Sequence, residues 1–250
     1  MGQNNWQIKS LGEVAEFIST GKTPSTTIDE YFGGDIQWFT PSDIGAAKYL
    51  ENSQRTLTKK SISEKKAILF PANTLLITCI GNIGRVGILK SNSSSNQQIT
   101  GIKFIESLDV DYAYYWFKKN IHKLAGKANQ AVVPILNNAQ LREIKIEFPP
   151  IHIQKQIAEI LEQADKAKQK RKEANKLTDE FLQSVFIEMF GDPVKNPRGW
   201  EIIHFGEIIS VLMDYHSNGS YETLRDNVKL LDTPDYAYMI RTTDLEKKGL

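Results

Sequence analysis

IHIQKQIAEILEQADKAKQKRKEANKLTDEFLQSVFIEMF, residues 151–190, is the stretch around which the rest of the chain can be read. Pro149-Pro150 precedes it and ends the strand-like run Ile144-Lys145-Ile146-Glu147-Phe148. Proline has no amide hydrogen for a β-ladder but fits the first turn of a helix. Gly191-Asp192-Pro193 follows, the glycine-then-proline order that stops a helix. In between, Ile157, Ile160, Leu161, Ala164, Ala167, Ala174, Leu177, Phe181, Val185 and Met189 recur at spacings of three and four. That periodicity predicts one apolar seam along one helix, about 60 Å long at 1.5 Å per residue. One small domain cannot cover such a seam, so the helix predicts a coiled-coil partner of similar length. Lys166, Lys168, Lys170, Arg171 and Lys172 cluster at its middle beside Glu162, Asp165 and Glu173. This reads first as a solvated face of mixed sign, with a phosphate track as the alternative.

On either side of the helix the sequence repeats. Trp6-Gln-Ile-Lys-Ser-Leu-Gly12-Glu13-Val returns as Trp200-Glu-Ile-Ile-His-Phe-Gly206-Glu207-Ile, and Trp38-Phe-Thr40-Pro41-Ser42-Asp43-Ile44 is echoed by Met239 to Leu245. The expected organisation is therefore a complete unit over 1–150, a long helix over 151–190, and over 191–250 a linker with the opening of a second unit too short to build the same core. The fold class expected is α+β with one long helix.

Composition narrows the function classes. Hydrophobic residues make up 40% of the chain and charged residues 24%, the balance of a globular protein rather than a disordered or fibrous one. Cys79 is the single cysteine, which excludes an intramolecular disulfide and a multi-thiolate zinc site. The apolar runs are too short to span a bilayer and the N-terminus lacks a secretion signal, so a cytoplasmic protein without membrane contact is expected. The net charge of +1 favours no partner, but residues 1–150 carry 17 basic against 13 acidic groups (+4) and residues 191–250 carry 7 against 10 (−3). A mildly basic first unit permits nucleic-acid binding without requiring it.

Within that unit Ala67 to Pro71 and Thr74 to Ile80 read as strands. Gly81 to Leu89 reads as a turn leading into a strand, Ser91 to Gln98 as a polar loop, Tyr112 to Ala125 as an amphipathic helix, and Asn137-Asn138 as a cap for a short helix. Catalytic patterns fail one by one. His122, His152, His204 and His216 lack metal-ligand spacing, and Cys79 sits in an apolar run without a polarising partner. Gly81-x-x-Gly84-x-x-Gly87 runs into strand residues where a dinucleotide loop would need a helix. Phe148-Pro149-Pro150-Ile151 lacks the polar first residue and aromatic last residue of an amino-methyltransferase motif. Asp235 after Pro234, with Glu246 and Lys248, fits a loose metal-dependent nuclease pattern, which remains a rival reading.

What is left is a set of polar loops carrying Lys22, Thr23, Ser25, Thr40, Ser42, Arg85, Ser94, Asn96, Gln97, Lys127 and Asn129. Such side chains hydrogen-bond phosphate oxygens and base edges, although loops are polar for many other reasons.

Taken in order, Trp6, Gly21-Lys22-Thr23-Pro24-Ser25, Tyr31-Phe-Gly-Gly-Asp-Ile-Gln-Trp38, Thr40-Pro41-Ser42-Asp43-Ile44, Asn96-Gln97, Pro149-Pro150 and Ile153-Gln154-Lys155-Gln156-Ile157-Ala158 resemble the specificity subunits of type I restriction-modification systems. The resemblance implies a DNA target-recognition domain over 1–150, followed by the family's conserved helix as spacer and partner-binding arm. It implies a non-catalytic reader of double-stranded DNA whose contacts are the loop residues named above. It also implies a methylating subunit and a restriction subunit as partners. The chain would need no cofactor of its own, since S-adenosylmethionine, ATP and magnesium belong to those partners. A homodimer through the helix seam, using Ile157, Ile160, Leu161, Ala164, Phe181 and Val185, would supply the missing second helix. A scaffold that binds no DNA is the remaining alternative.

Overall fold

The computed structural model describes residues 6–45, 47–125 and 134–209. In chain order they form β1 (Gln7–Ser10), α1 (Leu11–Val14), β2 (Ala15–Thr20), β3 (Phe32–Phe39), β4 (Tyr49–Leu50), β5 (Arg55–Leu57), α2 (Lys59–Ser63), β6 (Leu75–Thr78), β7 (Val86–Leu89), β8 (Ser94–Ser95), β9 (Ile99–Phe104), α3 (Val110–Ala125), α4 (Asn138–Glu143), β10 (Lys145–Phe148), α5 (Ile151–Phe190) and α6 (Phe205–Ile208). The chain divides into two compact units, Met1–Phe181 and Leu182–Leu250, with the boundary inside α5.

In the first unit the central sheet runs β2-β9-β6-β7-β4, antiparallel except for the β4–β7 pair. The apolar run around β6 is continuous because both faces of the strand are covered. Leu75 and Ile77 pack with Ile88, Ile102, Ala113 and Phe117 on one side, while Leu76 packs with Phe39, Phe70 and Leu89 on the other. A three-stranded sheet, β5-β3-β8, and a two-stranded one, β1-β10, flank it. The β6–β7 turn uses positive φ at Gly81 (76°) and Gly84 (93°), the glycine conformation a tight turn requires. Burial pushes the Cys79 thiol up to about 11, so it stays a protonated core group.

The helices form where caps and periodicity place them. Asn137 Oδ1 accepts from the Gln140 amide at 2.9 Å while Gln140 Oε1 accepts from the Asn137 amide at 2.9 Å, a capping box that opens α4. The expected helix near Tyr112 is α3, and the stretch between the prolines and Gly191 is α5 without interruption. Two local expectations need correcting. Ala67 to Pro71 is not a strand; only Phe70 bridges, to Ser93. Ser91 to Gln98 is not a surface loop throughout, because Ser93, Ser94 and Ser95 are fully buried and β8 pairs in parallel with β3.

The first turns of α5 belong to the first unit's core. Ala158 is buried and Ile157 packs beside it. Gln154 is fully buried and fully paired: its Oε1 accepts from the Asp109 amide at 2.8 Å, and its Nε2 donates to Ser107 O at 2.9 Å and Pro149 O at 2.8 Å.

In the described part of the second unit the repeat is visible in backbone conformation. α6 has the position and length of α1 in the repeat, and the residues flanking each share their angles: Ser10 and His204 both have φ −72°, Ala15 and Ile209 have φ −101° and −104°. The environments differ. Leu11 and Val14 are wholly buried, whereas Phe205 and Ile208 are 66% and 63% exposed.

Candidate nucleic-acid interface

Seven of the loop residues picked out by sequence converge on one rim of the first unit. The β3–β8 pairing creates it: Trp38 and Phe39 lie against Ser94 and Ser95, and the Asn96 amide donates to Phe39 O at 3.0 Å, so the chain leaves both strands at the same end. Thr40 and Gln97 flank that rung.

On one side of it, Gly21 packs so tightly that an added Cβ would lie 2.2 Å from Ser95 Oγ, and the Lys22 amide donates to Ser95 O at 2.9 Å. Lys22 is thereby held at the surface beside Thr23, whose hydroxyl donates to Gln97 Oε1. Ser25 lies two residues on, exposed, and shares a 2.8 Å bond with Thr27. On the other side, Thr40 and Asp43 form a capping box, with Asp43 Oδ2 accepting from the Thr40 amide and hydroxyl, both at 2.7 Å. Ser42 Oγ lies 2.8 Å from Thr40 Oγ1, and Arg85, carried outward by the β6–β7 turn, donates to Pro41 O at 3.4 Å.

Two residues named from sequence do not belong to this surface. Ser94 is fully buried in β8, and Asn96 is 8% exposed and occupied with Gln98. Their polarity misled because strand pairing covers them. Ser94 Oγ is a buried hydroxyl without a hydrogen-bond partner among the described residues. Lys127 and Asn129, like Asp235, Glu246 and Lys248 of the nuclease pattern, lie outside the described residues. Tyr31 and Trp38 are core, at 4% and 3% exposure, and offer no stacking face.

Sequence reading missed the cations that complete the rim. Lys22 Nζ donates to Lys65 O at 3.0 Å, which brings Lys65 and Lys66 alongside it, all three exposed. Arg55 lies over the Phe32 and Trp38 rings at 4.6 and 5.3 Å. The signal was present as Lys59-Lys60 and Lys65-Lys66, doublets that look like ordinary solvated charge until the fold puts Lys65 against Lys22. A local group of cations beside hydroxyl and amide side chains suits a polyanion whose edges are also to be read.

The other surface is the α5 seam. Ile157 is half-buried against the unit's own core. Ile160, Leu161 and Phe181 are 66%, 39% and 64% exposed, Ala164 is also exposed and Val185 partly so. Near the start of α5, Lys48 donates to Asp111 at 2.8 Å and Glu162 at 2.6 Å, and Lys118 pairs with Asp165 at 2.8 Å.

The described residues thus present a polar, cationic rim at the end of β3 and β8 and a long helix with an exposed apolar face. Residues 3–178 match the family model of the type I restriction modification DNA specificity domain, and the chain belongs to that family. It is 30% identical over 226 residues to the type I restriction enzyme MjaIX specificity subunit of Methanocaldococcus jannaschii, covering 83% of this chain and 52% of that protein. It is 26% identical to the EcoR124I/EcoR124II specificity subunit of Escherichia coli, covering 66% of this chain and 41% of that one. The chain thus spans about half the length of the curated relatives it matches. Among solved structures, the HsdS subunit from Thermoanaerobacter tengcongensis superposes with a TM-score of 0.53 at 16% identity over 70% of this chain and 40% of that one. The type I restriction-modification S subunit from M. genitalium gives 0.52 at 19% identity, over 78% and 48%. The mixed α+β class with a long helix is shared with these folds.

Proposed function

We propose that the first unit reads one half of a split duplex DNA target through the rim formed by Lys22, Thr23, Ser25, Thr40, Ser42, Arg85 and Gln97, with Lys65 and Lys66 adding phosphate contacts. The observation that carries this reading is the convergence of loops from four separate parts of the sequence at the end of β3 and β8. Lys and Arg supply the sequence-independent attraction to phosphate, and Thr40, Ser42 and Gln97 supply donors and acceptors for base edges. The chain itself performs no chemistry. A methylating subunit brings S-adenosylmethionine, and a restriction subunit brings ATP and magnesium, both recruited in the cytoplasm through α5. The α5 seam pairs with a second long helix, as in a homodimer.

Methylation mapping tests the reading. DNA incubated with the chain, its methylating subunit and S-adenosylmethionine becomes modified at one recurring sequence. Modification scattered without a common sequence, or at the same sequence when the chain is omitted, contradicts it.

A further inference from the structure

Arg55 opens β5 at the end of the three-stranded sheet where β3 and β8 leave it, on one rung with Trp38 and Ser94. Its guanidinium lies in the corner of two rings set 75° apart, 4.6 Å from the centroid of Phe32 and 5.3 Å from that of Trp38. The corner is anchored. Trp38 packs with buried Leu57 and Ala67, and its Nε1 donates to Lys22 O at 3.2 Å, which fixes the ring against the loop that carries Lys22 and Thr23. Arg55 itself is exposed, and among the described residues no carboxylate forms an ion pair with it. Asp43, which reaches the adjoining residue, is already engaged: Oδ2 accepts from the Thr40 amide and hydroxyl, and Oδ1 from the Gln54 amide at 3.3 Å. The aromatic corner therefore sets the guanidinium at the rim and leaves it without a protein anion.

We propose that Arg55 reads one guanine in the major groove, two of its N–H groups donating to O6 and N7 of the base, and so fixes one position of the recognised sequence. This deepens the reading of the rim as a DNA interface and rests on it. A planar fork of donors matches that pair of acceptors, and no other base offers two acceptors side by side on its major-groove edge. Stacking on Phe32 and Trp38 pre-organises the fork, so little side-chain freedom is lost when the contact forms. A phosphate contact asks for less: a flexible ammonium suffices, and Lys22, Lys65 and Lys66 already place three at this rim. The distinguishing property of Arg55 is thus its fixed plane rather than its charge.

The test selects binding sequences from a randomised duplex pool with the full-length chain and with R55K, which keeps the charge and the aliphatic stem but not the fork. The wild type is expected to recover a recurring sequence, and R55K the same sequence with one G·C position left open. Each guanine of the wild-type site is then replaced in turn by 7-deazaguanine, which lacks N7. One replacement should weaken wild-type binding about tenfold and leave R55K unaffected. Binding of R55K to a duplex of unrelated sequence, and its salt slope, should match the wild type because the charge is kept. The base replacements are read on the wild-type protein, so they hold whatever the substitution does to the fold. A site in which no guanine is sensitive, or a sensitivity that persists in R55K, overturns the assignment and leaves the rim reading in place. An R55K that loses affinity equally for every duplex also overturns it, making Arg55 a phosphate contact. A wild-type selection that recovers no recurring sequence overturns the rim reading together with it.

Discussion

Lys48 Nζ stands 2.6 Å from Glu162 Oε2, a contact that ties the loop bearing Thr40 and Ser42 to the long helix. The same ammonium donates to Asp111 at 2.8 Å, and Asp111 also accepts from the Tyr49 hydroxyl at 2.7 Å. The Lys48 side chain is only 11% exposed, so these bonds form with little competition from water. Arg85 holds the other end of that loop through Pro41 O. The loop is therefore fastened on one side to the central sheet and on the other to α5, and the helix direction is set by the domain it follows.

Replacing Lys48 by methionine leaves Asp111 and Glu162 close together without their shared cation. Losing hydrogen bonds to charged, half-buried groups should cost about 1–3 kcal/mol. Urea unfolding checks this. A change below about 0.5 kcal/mol, the range of an ordinary surface substitution, would show that solvent already satisfies these carboxylates.

Acid should loosen the same junction. Hydrogen bonds from Lys166 and Lys48 hold the Glu162 carboxyl down to about 2, against a usual value of 4.5. A depressed carboxylate stabilises the fold fully above its unfolded value, and that contribution is lost as pH falls through the folded one. The wild type should therefore lose more stability between pH 4.5 and 2 than E162Q, which has no such proton to take up. Lys48 is held above its usual value by Asp111 and Glu162 against the opposing effect of burial, so its share persists throughout the neutral range. Parallel acid titrations of the two proteins, followed by circular dichroism, would contradict this account if they superimposed.

Gln154 should be intolerant of replacement. Leucine of similar volume would strand the Asp109 amide and the carbonyls of Ser107 and Pro149 inside the junction. A stability loss of about 2–4 kcal/mol is expected, more than an exposed neighbour such as Gln156 should give. Equal effects at Gln154 and Gln156 would argue that the buried network contributes nothing.

The sequence was most legible where one local signal settled the structure. Proline pairs, the glycine stop and the three-and-four spacing marked α5 to the residue, and the Asn137 cap marked α4. It was least legible where tertiary pairing decided burial. The serines at 93–95 look like a loop by composition, yet β3 runs beside them and removes them from water. Conversely, Lys65 and Lys66 look like generic surface charge, and only the bond from Lys22 to Lys65 O places them at the rim. The helix seam read as uniform, but its start is core and its later residues are exposed, because periodicity reports a face and not what covers it. The repeat after Gly191 was readable as sequence and again as matching backbone angles at α1 and α6.

The measurement that bears most directly on the rim is duplex DNA binding as a function of salt and sequence, for the wild type and for K22A, R85A and Q97A. K22A and R85A should weaken binding to all duplexes and each reduce the slope of log affinity against log salt by about one unit. Q97A should leave that slope unchanged and relax preference at one base pair by about 1–3 kcal/mol. If all three variants keep the wild-type affinity, slope and sequence preference, the rim at the end of β3 and β8 is not where this chain meets DNA.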